Sequence, residues 1–81
     1  MKNLEARIED KLSAGEIPGA PPVKQWGCEG NGSVHCIACG QVITAREVEI
    51  DALYEDGREF AYHSPCKALV GVIRERRRRT G

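Results

Sequence analysis

The sequence is short of aromatic side chains, of net charge and of long apolar runs. Aromatics make up 5% of the 81 residues, namely Trp26, Tyr54, Phe60 and Tyr62, so the side chains that usually contribute most buried area are few. That scarcity excludes a large core, and the length excludes a second one. The formal net charge is +0, which removes both the overall basic excess of many nucleic-acid binders and the acidic excess of a disordered chain. No run of about 18 apolar residues occurs, so no membrane-spanning helix is expected. The stretch Met1 to Asp10 carries charges where a signal peptide needs an unbroken apolar segment. These absences together describe a soluble, cytoplasmic protein. Thiols stay reduced there, and the four cysteines read as metal ligands or redox groups rather than two disulfides.

What is present is unevenly placed. Residues 67–81 hold six basic groups against Glu75, whereas residues 1–66 hold six basic against eleven acidic groups. Asn3 is suited to cap a helix on which Leu4, Ile8 and Leu12 form a narrow apolar stripe, and Gly15 stands where a left-handed residue would end it. Residues 16–25 contain Pro18, Gly19, Pro21 and Pro22 and read as an extended connector. Trp26-Gly27-Cys28-Glu29-Gly30-Asn31-Gly32-Ser33 reads as an irregular glycine-rich loop with Trp26 as a core anchor. Further on, Val48-Glu49-Ile50-Asp51-Ala52 alternates as a strand does, and Asp56-Gly57 signals a two-residue hairpin turn. Such a turn sets Glu55 opposite Arg58, Leu53 opposite Phe60 and Ala52 opposite Ala61. The return strand runs into His63, after which Ser64 and Pro65 start a helix whose apolar face is Leu69, Val70, Val72 and Ile73.

The strongest signal is Cys36 and Cys39 as C-x2-C, followed after 23 residues by His63 and Cys66 as H-x2-C. Two tight pairs each bring two ligands onto one ion with little chain to order, and the long gap closes into a packed unit, as in structural zinc sites. Gly40 after Cys39 permits the positive φ with which a knuckle turns back. Cys66 falls in the first helical turn, where the dipole favours a thiolate. Four good ligands leave no open position, so one Zn2+ per chain would stabilise the fold rather than act as a catalyst.

Knuckle, hairpin and helix in this order resemble treble-clef zinc domains, and C-x2-C followed by H-x2-C resembles the first zinc site of LIM domains, over residues 36 to about 78. A likeness covering nearly the whole chain is to a group of small uncharacterised bacterial zinc-binding proteins. It rests on the helix Leu4 to Leu12, the prolines Pro18 to Pro22, Trp26-Gly27, Cys36-Ile37-Ala38-Cys39-Gly40, the acidic hairpin Glu47 to Tyr62, and His63-Ser64-Pro65-Cys66. The resemblance implies a treble-clef-like fold and one metal site, with no established activity. The second zinc site of a LIM domain is missing.

Cys28 has two readings: a free, partly exposed thiol, or a ligand that replaces His63 in a four-cysteine site. The H-x2-C spacing of His63 favours the first. His35 reads as a surface residue. A dithiol oxidoreductase would place C-x2-C at a helix start, whereas Gly40 and the strand-like Val42-Ile43 follow it here. The basic end, Arg74, Arg76, Arg77, Arg78 and Arg79, reads either as a solvated helix end that complements the dipole or as a phosphate-binding tail for DNA or RNA. A third reading sets the acidic hairpin of one copy against the basic tail of another, giving a homodimer.

The expectation is therefore an α+β chain: an amphipathic helix in residues 1–15, a Pro/Gly-rich linker and loop in 16–35, and a zinc module with an Arg-rich tail in 36–81. Its expected function is a non-catalytic zinc-binding module for a protein or nucleic-acid partner. The alternative is a thiol-active or zinc-dependent enzyme.

Overall fold

A computed structural model describes residues 3–80. Its elements are α1 (Leu4–Ser13), β1 (Lys24–Glu29), β2 (Val48–Leu53), β3 (Glu59–His63) and α2 (Ser64–Thr80). The strands form one antiparallel sheet in the order β1-β2-β3, so the fold is α+β, of a kind that fits a small zinc-binding domain.

α1 begins as its sequence predicts. The Asn3 side chain accepts a hydrogen bond from Ala6 N at 2.8 Å, satisfying a donor that the helix itself cannot. Gly15 at φ 78 turns the chain back so that Glu16 N and Ile17 N both donate to Lys11 O. Ile17 then drops into the core beside Ile8 and Leu12. The segment read as a mere connector thus carries a core residue at its second position.

Two expectations about the sheet are corrected. The first concerns residues 24–29, read as connector and irregular loop, which form β1 and pair with β2 from Lys24 opposite Leu53 to Glu29 opposite Val48. All six β1 residues are exposed, because β1 is the sheet's edge with neither face covered. Trp26 is therefore no core anchor. It is 39% exposed, with the Lys24 ammonium 5.9 Å from its ring centre.

The second correction is the hairpin register. Ala52 faces Phe60, Leu53 faces Glu59 and Asp51 faces Ala61, one residue away from the pairing that a two-residue turn would impose. Gly57 N donates to Tyr54 O at 2.9 Å and Tyr54 N to Arg58 O at 2.8 Å. The loop is thus Glu55-Asp56-Gly57, with Gly57 at φ 90: a turn followed by a left-handed residue, the three-residue hairpin loop. Asp56 fixes it by accepting from Arg58 N at 3.0 Å and Arg58 Nε at 2.6 Å. One residue of slip changes which side chains share a face. It puts Tyr54 with Phe60 and Tyr62, and the buried hydroxyls of Tyr54 and Tyr62 meet at 2.6 Å.

On α2, Val70 and Ile73 are fully buried, but Val72 is 55% exposed and Leu69 only partly covered, so the apolar face is narrower than expected. Arg74 is also buried and donates to Pro18 O at 2.9 Å. Arg76 bonds Glu5, and Arg77 donates to Ser13 Oγ at 3.1 Å, so α1 finds its partner surface on α2. Burial, and then the nearby Arg74 charge, hold the Lys67 ammonium below its ordinary range.

Two glycines give opposite expectations. A Cβ on Gly30 would collide with Thr44 O and stand 2.8 Å from Ile43 Cγ2, where a rigid backbone cannot give way. Gly30→Ala is expected to destabilise by at least about 2 kcal/mol. A Cβ on Gly71 meets nothing, and Gly71→Ala should gain up to about 1 kcal/mol of helix propensity, raising the melting midpoint by about 4–8 °C. Thermal melts of the two variants check both signs.

Candidate metal centre

The knuckle forms because its backbone closes on itself. His35 and Val42 pair as an isolated antiparallel bridge, Ile43 N donates to Val34 O, and Cys36 N to Gln41 O. Between them Gly40 N returns to Cys36 O at 2.8 Å, and Gly40 adopts φ 78, the left-handed conformation expected of it. Ile37 N donates to Ala61 O at 3.0 Å and ties the knuckle to β3. From the other side α1 reaches over with two cations. Lys11 Nζ donates to Ile37 O at 2.6 Å and Arg7 Nη1 to Cys39 O at 3.2 Å.

Across from the knuckle, β3 ends at His63 and α2 begins at Ser64, so the second ligand pair straddles a strand-to-helix junction. The one described set of four His, Cys, Asp or Glu residues whose ligand atoms gather together is Cys36, Cys39, His63 and Cys66, all within 4.8 Å of one another. Cys39 Sγ and His63 Nδ1 are 3.3 Å apart. Around a tetrahedral zinc with Zn–S of about 2.3 Å and Zn–N of about 2.0 Å, neighbouring ligand atoms stand roughly 3.5–3.8 Å apart. Three sulfurs and one imidazole nitrogen at this spacing fit such an ion. Cys36, His63 and Cys66 are buried and Cys39 partly so.

The charges around the group argue for a cation. Burial would raise the Cys36 thiol, but the backbone N–H groups of Cys39, His63 and Ala38 and the His63 side chain overcome it and leave Cys36 lowered. His63 N donates to Cys36 Sγ at 3.4 Å. Cys66 behaves oppositely. Burial first, and then the charges of Cys36 and Cys39, push its thiol up to about 12. The helix dipole expected to favour a thiolate there is outweighed by burial together with two neighbouring sulfurs. A divalent cation reverses this balance, since its charge holds coordinating thiols deprotonated.

Sequence reasoning missed one functional residue, Glu47. Its Oε1 lies 3.2 Å from His63 Nε2 and accepts from Thr44 N at 2.9 Å. The Thr44 N–H lowers the Glu47 carboxyl against its partial desolvation. An ionised Glu47 would accept a proton held on Nε2, which would leave Nδ1, the nitrogen near Cys39 Sγ, with a lone pair free to face a metal. The spacing Thr44-x2-Glu47 was its signal, a side chain returning to a backbone N–H three residues earlier, as in a capping box.

Cys28 stands apart on β1. Its Sγ lies 3.7 Å from Asp51 Oδ2, and Cys28, Glu49 and Asp51 bring their ligand atoms within 4.8 Å. Local desolvation and the Asp51 and Glu49 carboxylates push its thiol up. The structure therefore brings His63, not Cys28, to the other three cysteines. His35 is exposed, as expected. The five arginines do not act as one tail: Arg74 is buried, Arg76 and Arg77 engage α1, and Arg78 and Arg79 lie near Glu75 of their own helix.

Among known proteins, no family model, no curated protein and no solved structure matches the chain.

Glu47→Gln keeps the shape but replaces a charged acceptor. The expected result is unchanged zinc stoichiometry with an affinity lower by about tenfold or more, measured by competition with a chromophoric chelator. An unchanged affinity would mean that Glu47 does not orient His63.

Proposed function

We propose that the protein is a non-catalytic zinc-binding module, in which one Zn2+ per chain stabilises a treble-clef-like unit that presents its surface to a macromolecular partner, a protein ahead of a nucleic acid. A kinship with the small bacterial zinc-binding proteins that the sequence resembles belongs to the same proposal. The observation that carries it is the largely buried Cys3His set: Cys36, Cys39, His63 and Cys66 could together satisfy a tetrahedral ion, which would leave no position for substrate. The zinc would join knuckle, sheet and α2, and its binding energy would serve as folding energy.

A thiol enzyme needs a depressed, accessible thiolate. Cys28 is the accessible thiol, and its carboxylate neighbours push it the wrong way. Cys36, the lowered thiol, is buried within the ligand set. For the partner, the β1 edge supports a protein. Its residues are exposed throughout, and an unpaired strand edge accepts another extended segment by main-chain hydrogen bonds. Trp26, Val23 and Val48 add exposed apolar surface there.

Alkylation with mass detection tests the closed site. In the zinc-loaded protein Cys28 should react slowly and alone. After chelation Cys36, Cys39 and Cys66 should react as well, and the near-ultraviolet circular dichroism should collapse. Cys28→Ser should keep one zinc per chain. A fast-reacting thiol among the three in the loaded protein would favour the enzyme.

Salt dependence tests the partner class. Only Arg78 and Arg79 of the basic end are described solely with a partner on their own helix. Association with duplex DNA through the arginines of the basic end should therefore show a log-log salt slope no steeper than about −1.8. A slope near −3.6, from about four neutralised phosphates, would put nucleic acid first.

A further inference from the structure

The most anomalous charge lies outside the metal centre. Arg74 is 9% exposed, and its described hydrogen bond runs from Nη2 to Pro18 O. Its Nε is buried without a hydrogen-bond partner among the described residues. Among the described residues no ion pair to a carboxylate is formed by Arg74; a buried guanidinium without one is costly, and an arginine has no neutral form to retreat to. The molecule keeps it nonetheless, beneath a groove of about 540 Å³ between the Pro21-Pro22 segment and α2. Lys67 and Arg78 line the same groove. The carboxylate there, Glu75, lies 3.9 Å from Arg78 and 3.6 Å from Arg79. Three cations and one carboxylate leave a net of two positive charges in a concavity formed by two separate segments.

The structure assigns this groove to a phosphoryl group, free phosphate or a small phosphate monoester, with buried Arg74 as the fixed charge beneath it and Lys67 and Arg78 as the direct contacts. A phosphoryl dianion matches the net charge of the groove, which a single carboxylate would half-neutralise. Guanidinium and ammonium groups are its usual partners. The low-dielectric setting of Arg74 makes its attraction stronger than that of a solvated arginine, and the anion relieves the charge that folding left uncompensated. The proline wall is rigid and brings no carboxylate to the cations, and the described bond from them to that segment is the one from Arg74 to Pro18 O. None of the four candidate metal ligands lines the groove, and the assignment needs no macromolecular partner.

The test is a titration of the zinc-loaded full chain with inorganic phosphate, against sodium chloride at matched ionic strength. It is followed by the Arg74 Nε–Hε and Ala20 and Gly71 amide resonances in 15N spectra. A saturable shift with phosphate and none with chloride is expected. Lys67→Ala and Arg78→Ala should each weaken binding about tenfold with zinc stoichiometry unchanged, and Arg74→Met should abolish it. Because Arg74→Met removes a buried group and can fail to fold, the two groove variants keep the test decisive. A second arm with phenyl phosphate separates the sources: tighter binding than phosphate marks a monoester site, equal or weaker binding a site for the free ion. The proposal is overturned if no saturable shift occurs, if chloride reproduces it, or if both groove variants bind as well as the parent.

Discussion

Three thiols and an imidazole gathered within 4.8 Å are not a stable arrangement in themselves. Each thiolate that forms makes the next harder, and burial first, then Cys36 and Cys39, push Cys66 up to about 12. Apolar packing alone does not explain the convergence, because Cys36 and Cys66 occupy core positions that aliphatic side chains would fill without penalty. A divalent cation makes the same four groups mutually supportive. With three thiolates such a site keeps one negative charge, and α1 answers it with Arg7 and Lys11 on the knuckle carbonyls of Cys39 and Ile37.

α1 is thereby explained. In isolation its ten residues would be marginal in water. Ile8 and Leu12 face the core, while its polar groups work in two directions, cations toward the knuckle and Glu5, the Glu9 carbonyl and Ser13 toward the arginines of α2. The charge asymmetry of the sequence is thus partly resolved within one molecule. Salt bridges between exposed groups are worth little singly, so the burial of Ile8, Leu12 and Ile17 supplies the energy and the charged contacts set the orientation.

The Cys3His cluster was legible in the sequence because ligand spacing is local: two residues between the members of each pair fix which side chains can share an ion. Asn3, Gly15 and Gly40 were legible for the same reason, each answering a backbone demand within a few residues. What escaped was decided at longer range. The strand Lys24–Glu29 carries Gly27 and lacks alternation, and it exists because β2 offers an edge to pair with. The hairpin register turned on whether Asp56-Gly57 held the whole loop or its last two positions, and only the Tyr54 and Arg58 bonds decide that. Trp26 misled because a large aromatic suggests a core, while an edge strand with two open faces offers none. Arg74 was hidden in a run of like residues, and its burial follows from Pro18 lying across α2.

The same topology couples the metal centre to the basic groove. His63 ends β3, Cys66 lies in the first turn of α2, and Lys67 and Gly71 follow on that helix. A zinc that held His63 and Cys66 would fix the start of α2, and so the line on which Lys67, Arg74 and Arg78 stand. The other wall descends from α1 through Ile17 and Pro18, both buried, and α1 is itself pinned to the knuckle by Arg7 and Lys11. Both walls of the groove therefore trace back to the Cys36 to Cys39 turn by short, packed routes. An ion that ordered that turn would order the groove as well, although none of the four candidate ligands lines it.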